Sequence, residues 1–523
     1  MIAQETVVSK SATLDASQEA LIQQHSVKLQ SLVEELIGDV RHAVQQHTPL
    51  HVLERQTWKR LLALGREILL LLFALLGPGD VGETVTLADG RQLRRLRRRR
   101  RREYQSPFGV FQLERYAYGT REGQELELVP LDERLALPAG KFSYLLQEWD
   151  QSETMEASFG QTSQIVERIL GLTQHVDSLE QMNRRLAEQV ESYHQEQAAP
   201  PPESEGPLLV QTIDHKGVPL RHPADRPTIA DHDPQAKRRK DRKRMAAVAG
   251  VYSIAPYVRT PEQVLKALFA PPGRRPVEEV AEPRRPRPQN KRLRACLPHT
   301  NADGDAVDGT AAMFGWLADE TQARNPQGLK TLIHLTDGEP QLRTGRDVFQ
   351  GDVPMVDILD LLHATPRVWA MSRLFCRDEV SRVAFVKERV RRILHGEVTA
   401  VVQGLRSLAT RRRLSEKRRE EVERVCAYFE NNADRMRYDE YLAKGYPIAS
   451  GVIEGACRHV VKDRMERTGM GWTVEGAQAM LSLRCLWLSD SWDGYLTFRI
   501  EQETQRLHPH RAELKEMPWA LAI

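Results

Sequence analysis

Three acidic residues stand at positions where proteins use carboxylates for chemistry. Asp214 follows the apolar run LLVQTI, Asp337 follows the run TLIHLT, and Glu454 falls in the first turn of a predicted helix. Side chains at strand ends lie on rigid elements and project towards a cleft. Carboxylate oxygens suit Mg²⁺, and two such ions can activate an attacking oxygen and stabilise a leaving oxygen in phosphodiester chemistry. These residue types indicate metal-dependent phosphoryl transfer.

Each acid also has a simpler interpretation. Asp214 alone is typical of a turn, and Asp337 precedes Gly338, which again favours a turn. Asp360 lies within another apolar run, residues 353–362, and competes with Asp337 for the role of second acid. His363 is either a core histidine or a group that orients a phosphate or a neighbouring acid.

The stretch that carries Glu454 reads PIASGVIEGACRHVVKDRMERTGMGWT over residues 447–473. Ser450 is predicted to be the N-cap of a helix, because its hydroxyl can accept from the free amides of the first turn. Glu454, Arg458 and Lys462 follow one another at i+4 steps and are expected on one face. A solvated amphipathic helix with ion pairs would show the same pattern.

The second half of the chain alternates short apolar runs with helical patterns. The order is strand and Asp214, strand, short helix, helix, strand and Asp337, apolar run, helical block, then the helix of Glu454. We therefore predict an α/β catalytic domain with a ribonuclease H-like mixed sheet over residues 207–500 and a helical insertion at about 366–445. A C-terminal tail is predicted over residues 501–523.

The first half is predicted to be a mostly helical DNA-binding region over residues 1–195. Two helices cover residues 17–76, and a small β unit follows the turn Ala88-Asp89-Gly90. The helices at about 156–190 fit either a helix-turn-helix or a plain αα-hairpin. The Pro- and Glu-rich residues 196–206 are expected to be a linker.

Positive charge is concentrated in three runs, although the net charge of 523 residues is only +3. Residues 91–102 contain nine arginines and no acid, residues 237–244 seven cations and one acid, and residues 284–294 six cations and no acid. Solvated loops can look like this, but three such runs favour nucleic acid. The residues predicted to contact DNA are Arg97, Arg98, Arg99, Arg100, Lys237, Arg238, Arg239, Lys240, Arg458, Lys462 and Arg464.

The five cysteines are far apart and never form a CxxC pair. That spacing argues against a zinc knuckle and against a disulfide framework, and it suits a reducing cytoplasm. The longest apolar run, residues 68–76, is too short to span a bilayer, so no membrane partner is expected.

Several stretches together resemble a bacterial insertion-sequence transposase of the DDE class, most closely the ISKra family. They are IDHKGVPL at 213–220, KRMAAVAGVYSIAPYVRTPEQV at 243–264, LTDGEPQL at 335–342, ILDLLHATPRVW at 358–369 and the long stretch at 431–473. Residues 104–150 are similar to the N-terminal region of such enzymes.

This resemblance implies a catalytic and metal-binding triad of Asp214, Asp337 and Glu454, with Asp360 and His363 as a secondary element. It implies two ions, Mg²⁺ or Mn²⁺. Asp214 and Glu454 would share one ion, and Asp337 would bridge both. The implied partners are terminal inverted repeats and target DNA, with a homo-oligomer on DNA in the bacterial cytoplasm, at the nucleoid.

The chain departs from the pattern of that family at three places. Asp214 is followed by His-Lys-Gly, Gly471 stands where a basic residue is expected, and Ala364-Thr365-Pro366 follows the histidine. Two other functions are compatible with the sequence. A non-catalytic DNA-binding regulator or transposase remnant would not need all three acids. A ribonuclease H-like structure-selective nuclease would not need an element-specific N-terminal region.

Overall fold

The structure is a computed structural model that describes residues 16–120, 127–221, 243–270, 285–300, 304–467 and 469–516. The chain divides into two compact units. The first unit comprises residues 1–182 and 496–523, and the second comprises residues 183–495. The C-terminal residues therefore belong to the first unit, and the Pro-rich stretch before residue 206 belongs to the second.

A long helical hairpin opens the first unit. Helix α1 is Ala16–Gln45 and helix α2 is Leu50–Leu76. Leu29, Leu32 and Leu36 are partly buried and recur every three or four residues, as expected for the side of α1 that packs on α2. The imidazole Nδ1 of His25 lies 2.6 Å from the Glu67 carboxylate, and both residues are buried. This polar pair holds the two helices in one register.

The small β unit follows this hairpin, as the sequence predicts. Its strands are β1 Thr84–Thr86, β2 Gln92–Arg95, β3 Arg100–Ser106, β4 Gly109–Arg115 and β5 Tyr118–Gly119. β1, β2 and β5 form one antiparallel sheet, and β3 pairs with β4 in a second one. Phe111 and Leu113 are buried, whereas Gln112 and Glu114 are exposed, so β4 alternates with period two.

Short helices complete the first unit. They are α3 Pro130–Leu135, α4 Tyr144–Glu156, α5 Phe159–Leu170 and the start of α6, Val176–Ala187. Ser158 and Gln161 form a capping box at the start of α5, and Gly171 ends it with a left-handed φ of 68°. Helix α6 and a later helix, α19, cross the unit boundary.

The second unit is built on a five-stranded sheet. Its strands are β6 Leu208–Pro219, β7 Lys243–Ile254, β8 Gln289–Cys296, β11 Thr331–Thr336 and β12 Val356–Leu359, and a separate two-stranded pair is β9 His299–Thr300 with β10 Ala306–Val307. The spatial order is β12-β11-β6-β7-β8. β6, β11 and β12 are parallel, whereas β7 is antiparallel to both of its neighbours. The sheet is therefore mixed.

Strand β6 is longer than the sequence suggests. Asp214 was expected to close a run of six residues, but β6 continues to Pro219 because β7 pairs with it along its full length. Parallel pairing with β11 covers only Leu208 to Gln211. Asp214 thus lies inside a strand, three residues beyond the last residue that pairs with β11.

Helices cover both faces of this sheet. Helices α9 Gly309–Arg324 and α10 Pro340–Gln350 follow β10 and β11, and α9 contributes Met313, Phe314 and Leu317 to one core. The other core contains Val210 and Leu335 and receives the helical block α11 Leu361–Phe375, α12 Glu379–Leu394, α13 Val398–Arg411, α14 Glu416–Asn431 and α15 Tyr438–Ala443. Every regular element in that block is helical, as predicted.

The remaining helices of the second unit are short or follow the acid-bearing turn. They are α7 Val190–Glu196, α8 Pro261–Leu268, α16 Gly451–Ala456, α17 Asp463–Met465, α18 Val474–Leu488 and the start of α19, Trp492–Leu507. A π-helical segment, Cys457–Lys462, joins α16 to α17. The last helix of the chain, α20 Arg511–Glu516, belongs to the first unit. Among the described residues no helix is both long and apolar enough to cross a membrane.

Asp150 on α4 is a buried carboxylate that destabilises the first unit at neutral pH. Gln174 Nε2 donates to its Oδ2 at 2.8 Å, whereas Asp150 Oδ1 and Gln174 Oε1 have no hydrogen-bond partner among the described residues. Burial raises the pKa of Asp150 to about 7. Because the folded pKa lies above the unfolded value of 3.8, the cost of ionisation is complete above pH 7 and vanishes below pH 3.8.

We therefore expect Asp150→Asn to raise the free energy of unfolding at pH 8 by about 1–3 kcal/mol and to have little effect at pH 3.5. Urea denaturation of both proteins at the two pH values measures this difference. An equal effect at both pH values would show that the carboxylate charge is not the cause.

Candidate active site

Three aspartates lie at the carboxyl edge of the parallel strands. Asp337 and Asp360 directly follow the paired residues Thr336 of β11 and Leu359 of β12. Asp214 stands three residues beyond Gln211, the last residue of β6 that pairs with β11. Neighbouring strands lie about 4.8 Å apart, so the chain brings these residues to one edge.

Asp360 is a structural residue in this arrangement. It is 0% exposed, and its Oδ1 accepts the Leu362 amide at 2.7 Å as the N-cap of α11. Its Oδ2 accepts the amide of Ser450 at 3.2 Å and also the Ser450 hydroxyl. The predicted cap by Ser450 at the start of α16 is therefore wrong, because that hydroxyl donates to Asp360 instead. With both oxygens of Asp360 used, Asp337 is the better candidate for the second acid.

Asp337 and Asp214 sit close enough to repel each other. Asp337 is partly buried, and its Oδ1 accepts the Glu339 amide at 2.9 Å. Burial raises the pKa of Asp337, and the carboxylates of Glu339 and Asp214 raise it further. The Glu339 amide and His363 act in the opposite direction. His363 thus lies beside Asp337, where it can offset negative charge.

The helix that follows α16 reaches Asp214 directly. Cys457 Sγ donates to Asp214 Oδ2 at 3.5 Å, and Asp214 Oδ1 accepts the amide of His215 at 2.7 Å. Burial raises the pKa of the Cys457 thiol, and the Asp214 carboxylate adds to this effect. Glu454 is exposed and stands three residues before Cys457, which puts it one helical turn away, with Cβ atoms about 5–6 Å apart.

Within the described residues no group of three or more His, Cys, Asp or Glu side chains is arranged to hold a metal ion. Asp214 and Asp337 nevertheless form a half-buried pair of like charges that a divalent cation would neutralise. Mg²⁺ often takes only one or two protein carboxylates and keeps water or phosphate oxygens as its other ligands. The pair therefore fits one such ion, and Glu454 stands at its rim.

Sequence reasoning did not single out His215 and Glu339. His215 Nδ1 lies 3.2 Å from a Glu339 carboxylate oxygen, and its Nε2 lies 2.9 Å from Thr310 Oγ1 at the start of α9. The imidazole therefore joins β6 to the loop that carries Asp337. The sequence feature that could have identified His215 is the His-Lys-Gly that follows Asp214. In the sequence it stood out only as a departure from the pattern of the resembled family.

Arg435 and Tyr428 fix the backbone around Asp337. Arg435 is 2% exposed, and its guanidinium donates to Thr336 Oγ1 at 2.6 Å and to the Asp337 carbonyl at 3.3 Å. A Cβ on Gly338 would lie 2.4 Å from the Tyr428 ring, so a larger residue there would force the ring to move. Both contacts come from the helical block, which therefore positions the acid.

Glu454, Arg458 and Lys462 are all exposed, as the prediction of one solvent-facing side requires. Residues 457–462 form a π-helical segment, which has a wider turn than an α-helix. Arg458 and Lys462 are exposed, and Arg458 pairs with Asp463 at 3.4 Å. Arg464 is 1% exposed, and its guanidinium lies 5.1 Å from the centre of the Trp472 ring. Its predicted role in DNA contact is wrong, because burial keeps it from a phosphate.

The first arginine run is divided between surface and core. Arg97, Arg98, Arg99 and Arg100 are all exposed, in agreement with a role at the surface. Arg99 lies over the Tyr116 ring at 5.0 Å, and its Nη1 is 3.5 Å from Glu114. Arg102, by contrast, is paired with Asp132 at 2.8 Å in a largely buried position.

The other two basic runs lie in the second unit of the chain. Lys237, Arg238, Arg239 and Lys240 lie outside the described residues. In the run at 284–294, the last six residues belong to β8. Arg292 pairs with Glu320 at 2.9 Å and Arg294 with Glu191 at 3.3 Å, so these two cations support the fold.

Helix α6 would be the second helix of the predicted helix-turn-helix, and the burial of its residues limits which of them could contact DNA. Asn183 is 1% exposed and cannot read a base edge, whereas Arg185 is exposed.

Trp472 is 8% exposed, as expected for a core residue, and its indole donates to the Met465 carbonyl at 3.2 Å. A cavity of about 370 Å³ lies between α9 and α10, but none of the predicted site residues lines it.

Comparison with known proteins adds little to this geometry. No family model matches the chain, and no curated protein matches it. One solved structure to which the chain is similar is a Drosophila P element transposase strand transfer complex, at 9% identity and a TM-score of 0.21. That match covers 70% of this chain and 84% of the other. A likeness at this level establishes neither fold nor function, and the ISKra family is not found by any of the three comparisons.

The two rival aspartates should respond differently to substitution. We expect Asp360→Ala to lower the free energy of unfolding by about 2–4 kcal/mol, because it removes a helix cap and leaves the Ser450 donors unsatisfied. Asp337→Asn should leave stability unchanged or slightly raised, because burial and neighbouring carboxylates already disfavour its ionised form. Thermal denaturation of both variants at pH 7 decides between them, and a larger loss for Asp337→Asn would reverse the assignment.

Proposed function

We propose that this protein is a DNA transposase that cleaves the ends of an insertion sequence by metal-dependent phosphodiester hydrolysis and joins the 3′-hydroxyls to target DNA. The observation that carries the proposal is the pair formed by Asp214 and Asp337, which lie on neighbouring parallel strands and are close enough that the Asp214 carboxylate raises the pKa of Asp337. Such a pair on a rigid sheet edge suits a cation that binds phosphate oxygens.

The strand order supports a ribonuclease H-like fold for the second unit. The sheet is ordered β12-β11-β6-β7-β8, and β7 runs antiparallel to the other four strands. Its first strand in sequence, β6, lies at the centre. Both Asp214 on that central strand and Asp337 on the next parallel strand then face one cleft. The helical block between β12 and α16 is the insertion that the sequence predicts before the last acid.

Each residue of the site has a defined task in this proposal. Asp214 and Asp337 would hold the first Mg²⁺ or Mn²⁺ ion, and Glu454 from the neighbouring helix would complete the set for two ions. When bound, the metal supplies Lewis-acid polarisation of the attacking and leaving oxygens. Water and then the 3′-hydroxyl are the nucleophiles, so no protein nucleophile is required. His363, whose charge acts to lower the pKa of Asp337, would offset negative charge there.

DNA as the substrate is supported by the exposed arginines of the first unit and by the sequence motifs. Arg97 to Arg100 present four cations at the surface. Such contacts hold phosphates and set register without reading bases. The stretches that resemble DDE transposases coincide with the site residues described above. We extend the proposal to terminal inverted repeats and target DNA as partners, and to a cytoplasmic, nucleoid-associated location.

The first test is metal-dependent cleavage of the DNA that flanks the gene. With the full chain and Mg²⁺ or Mn²⁺, we expect Asp214→Asn and Glu454→Gln to lower the cleavage rate by a factor of about 100 or more, because each removes a metal ligand. Both should retain DNA binding. Glu475→Gln is the matched control, since Glu475 is also exposed in the first turn of a helix in the same unit.

Each result of this test points to one function. Full activity of Glu454→Gln would remove that residue from the site. Cleavage without preference for inverted repeats would favour a structure-selective nuclease, and binding without any cleavage would favour a non-catalytic regulator. A search for inverted repeats beside the gene distinguishes the same three cases.

The arginine run should contribute affinity and little specificity. Replacing Arg98 and Arg100 by alanine should weaken binding to any duplex and reduce the slope of log affinity against log salt by roughly one unit per lost phosphate contact. The ratio between end-containing and scrambled DNA should not change. Fluorescence anisotropy titrations at several salt concentrations measure both quantities. The control is the double replacement of Arg418 and Arg419, exposed residues on α14, and an equal loss there would show that only net charge matters.

A further inference from the structure

Helix α1 carries a second apolar stripe that the hairpin does not cover. Val33, Ile37, Val40 and Val44 are 43%, 48%, 49% and 70% exposed, although all four are large apolar residues. They follow one another at steps of four, three and four residues, so they form a continuous line along one side of the helix. This line, called the apolar stripe below, lies beside the leucines that pack on α2.

Helix α2 extends the same surface towards the end of the hairpin where His25 contacts Glu67. Leu61, Ile68 and Leu72 are also exposed, at the same kind of spacing. On each helix these residues lie roughly a quarter turn beyond the packed seam, in the same rotational sense. In an antiparallel pair this places both lines on one face of the hairpin. Contiguous exposed apolar surface of this kind is typical of an interaction site.

We propose that this face binds the same face of a second copy of the chain, with the two α1 helices antiparallel. The stripe is self-complementary, because its spacing reads the same in both directions. A two-fold axis between Ile37 and Val40 sets Ile37 of one copy against Val40 of the other, and Val33 against Val44. Identical patches related by a two-fold axis are the commonest form of protein dimer.

The charges beside the stripe fit the same axis. Glu34 and Arg41 each follow a stripe residue by one position and lie on the same side of it, and both are exposed. In the antiparallel arrangement Glu34 of each copy meets Arg41 of the other, which gives two opposite-charge pairs. A parallel arrangement would instead place Glu34 and Arg41 of the two copies on opposite sides of the interface, so these pairs would not form.

The apolar stripe runs over residues 33–44 of α1, about 17 Å of helix, so it forms the centre of the contact. Flanking polar residues would form the rim, as is usual in protein interfaces. Because the exposed arginines 97–100 belong to the same unit, each dimer would carry two such runs. The proposed contact needs neither DNA nor metal, so it can be tested apart from any catalytic activity.

The test is the mass of the full chain in solution without DNA, by sedimentation velocity over micromolar concentrations. We expect a dimer for the wild type and a monomer for Ile37→Lys, which places a charge in the stripe. Val27→Lys is the matched control and should remain dimeric, because Val27 is 55% exposed on α1 but lies outside the stripe. A wild type that stays monomeric, or a dimer that Ile37→Lys leaves intact, would overturn the proposal.

Charge reversal tests the antiparallel geometry without touching the apolar residues. Glu34→Arg and Arg41→Glu should each raise the dissociation constant roughly tenfold, because each turns two attractive pairs into repulsive ones. The double variant should recover most of the wild-type affinity. Single reversals without effect, or a double variant weaker than either single one, would rule out the proposed pairing.

Discussion

The buried carboxylate of Asp360 is the interaction on which the rest of the site depends. A carboxylate removed from water is costly unless hydrogen bonds replace its hydration, and Asp360 receives three of them, from Leu362 and from the amide and hydroxyl of Ser450. These bonds join the end of β12, the start of α11 and the turn before α16. The helix that carries Glu454 is therefore tied to the same strand edge as Asp337, although about a hundred residues separate them along the chain.

A second constraint acts along the sheet. Parallel pairing of β11 with β12 sets Asp337 and Asp360 at the same height, and pairing of β11 with β6 ends three residues before Asp214. Side chains alternate between faces, so a slip of one residue in β11 would send Asp337 to the opposite face. Val210 and Leu335 are buried in one core. Asp214 and Asp337 follow them by four and two residues, so the period of two places the acids on the same face of the sheet. The hydrophobic pattern of the strands thus also determines where the carboxylates stand.

The sequence predicted those parts of the fold that depend on local pattern. The strands ending near Asp337 and the helical block after residue 366 follow from runs and periodicity that can be read directly. The length of β6 could not be read in that way, because it depends on pairing with β7, whose partner residues are far along the chain. Ser450 shows the same limit. Its position fits a helix cap, but a buried acid 90 residues earlier offers its hydroxyl a stronger, charged acceptor.

The arginines show why residue type alone was a poor guide to the surface. Arg98 and Arg102 belong to one unbroken run, and nothing in their spacing distinguishes them. In the folded chain Arg102 compensates the buried Asp132, and removing it would leave that acid with one fewer partner. Arg98 remains exposed and keeps its charge for a ligand. A phosphate-binding role can therefore be assigned only after each cation has been checked for an acid that the fold requires it to neutralise.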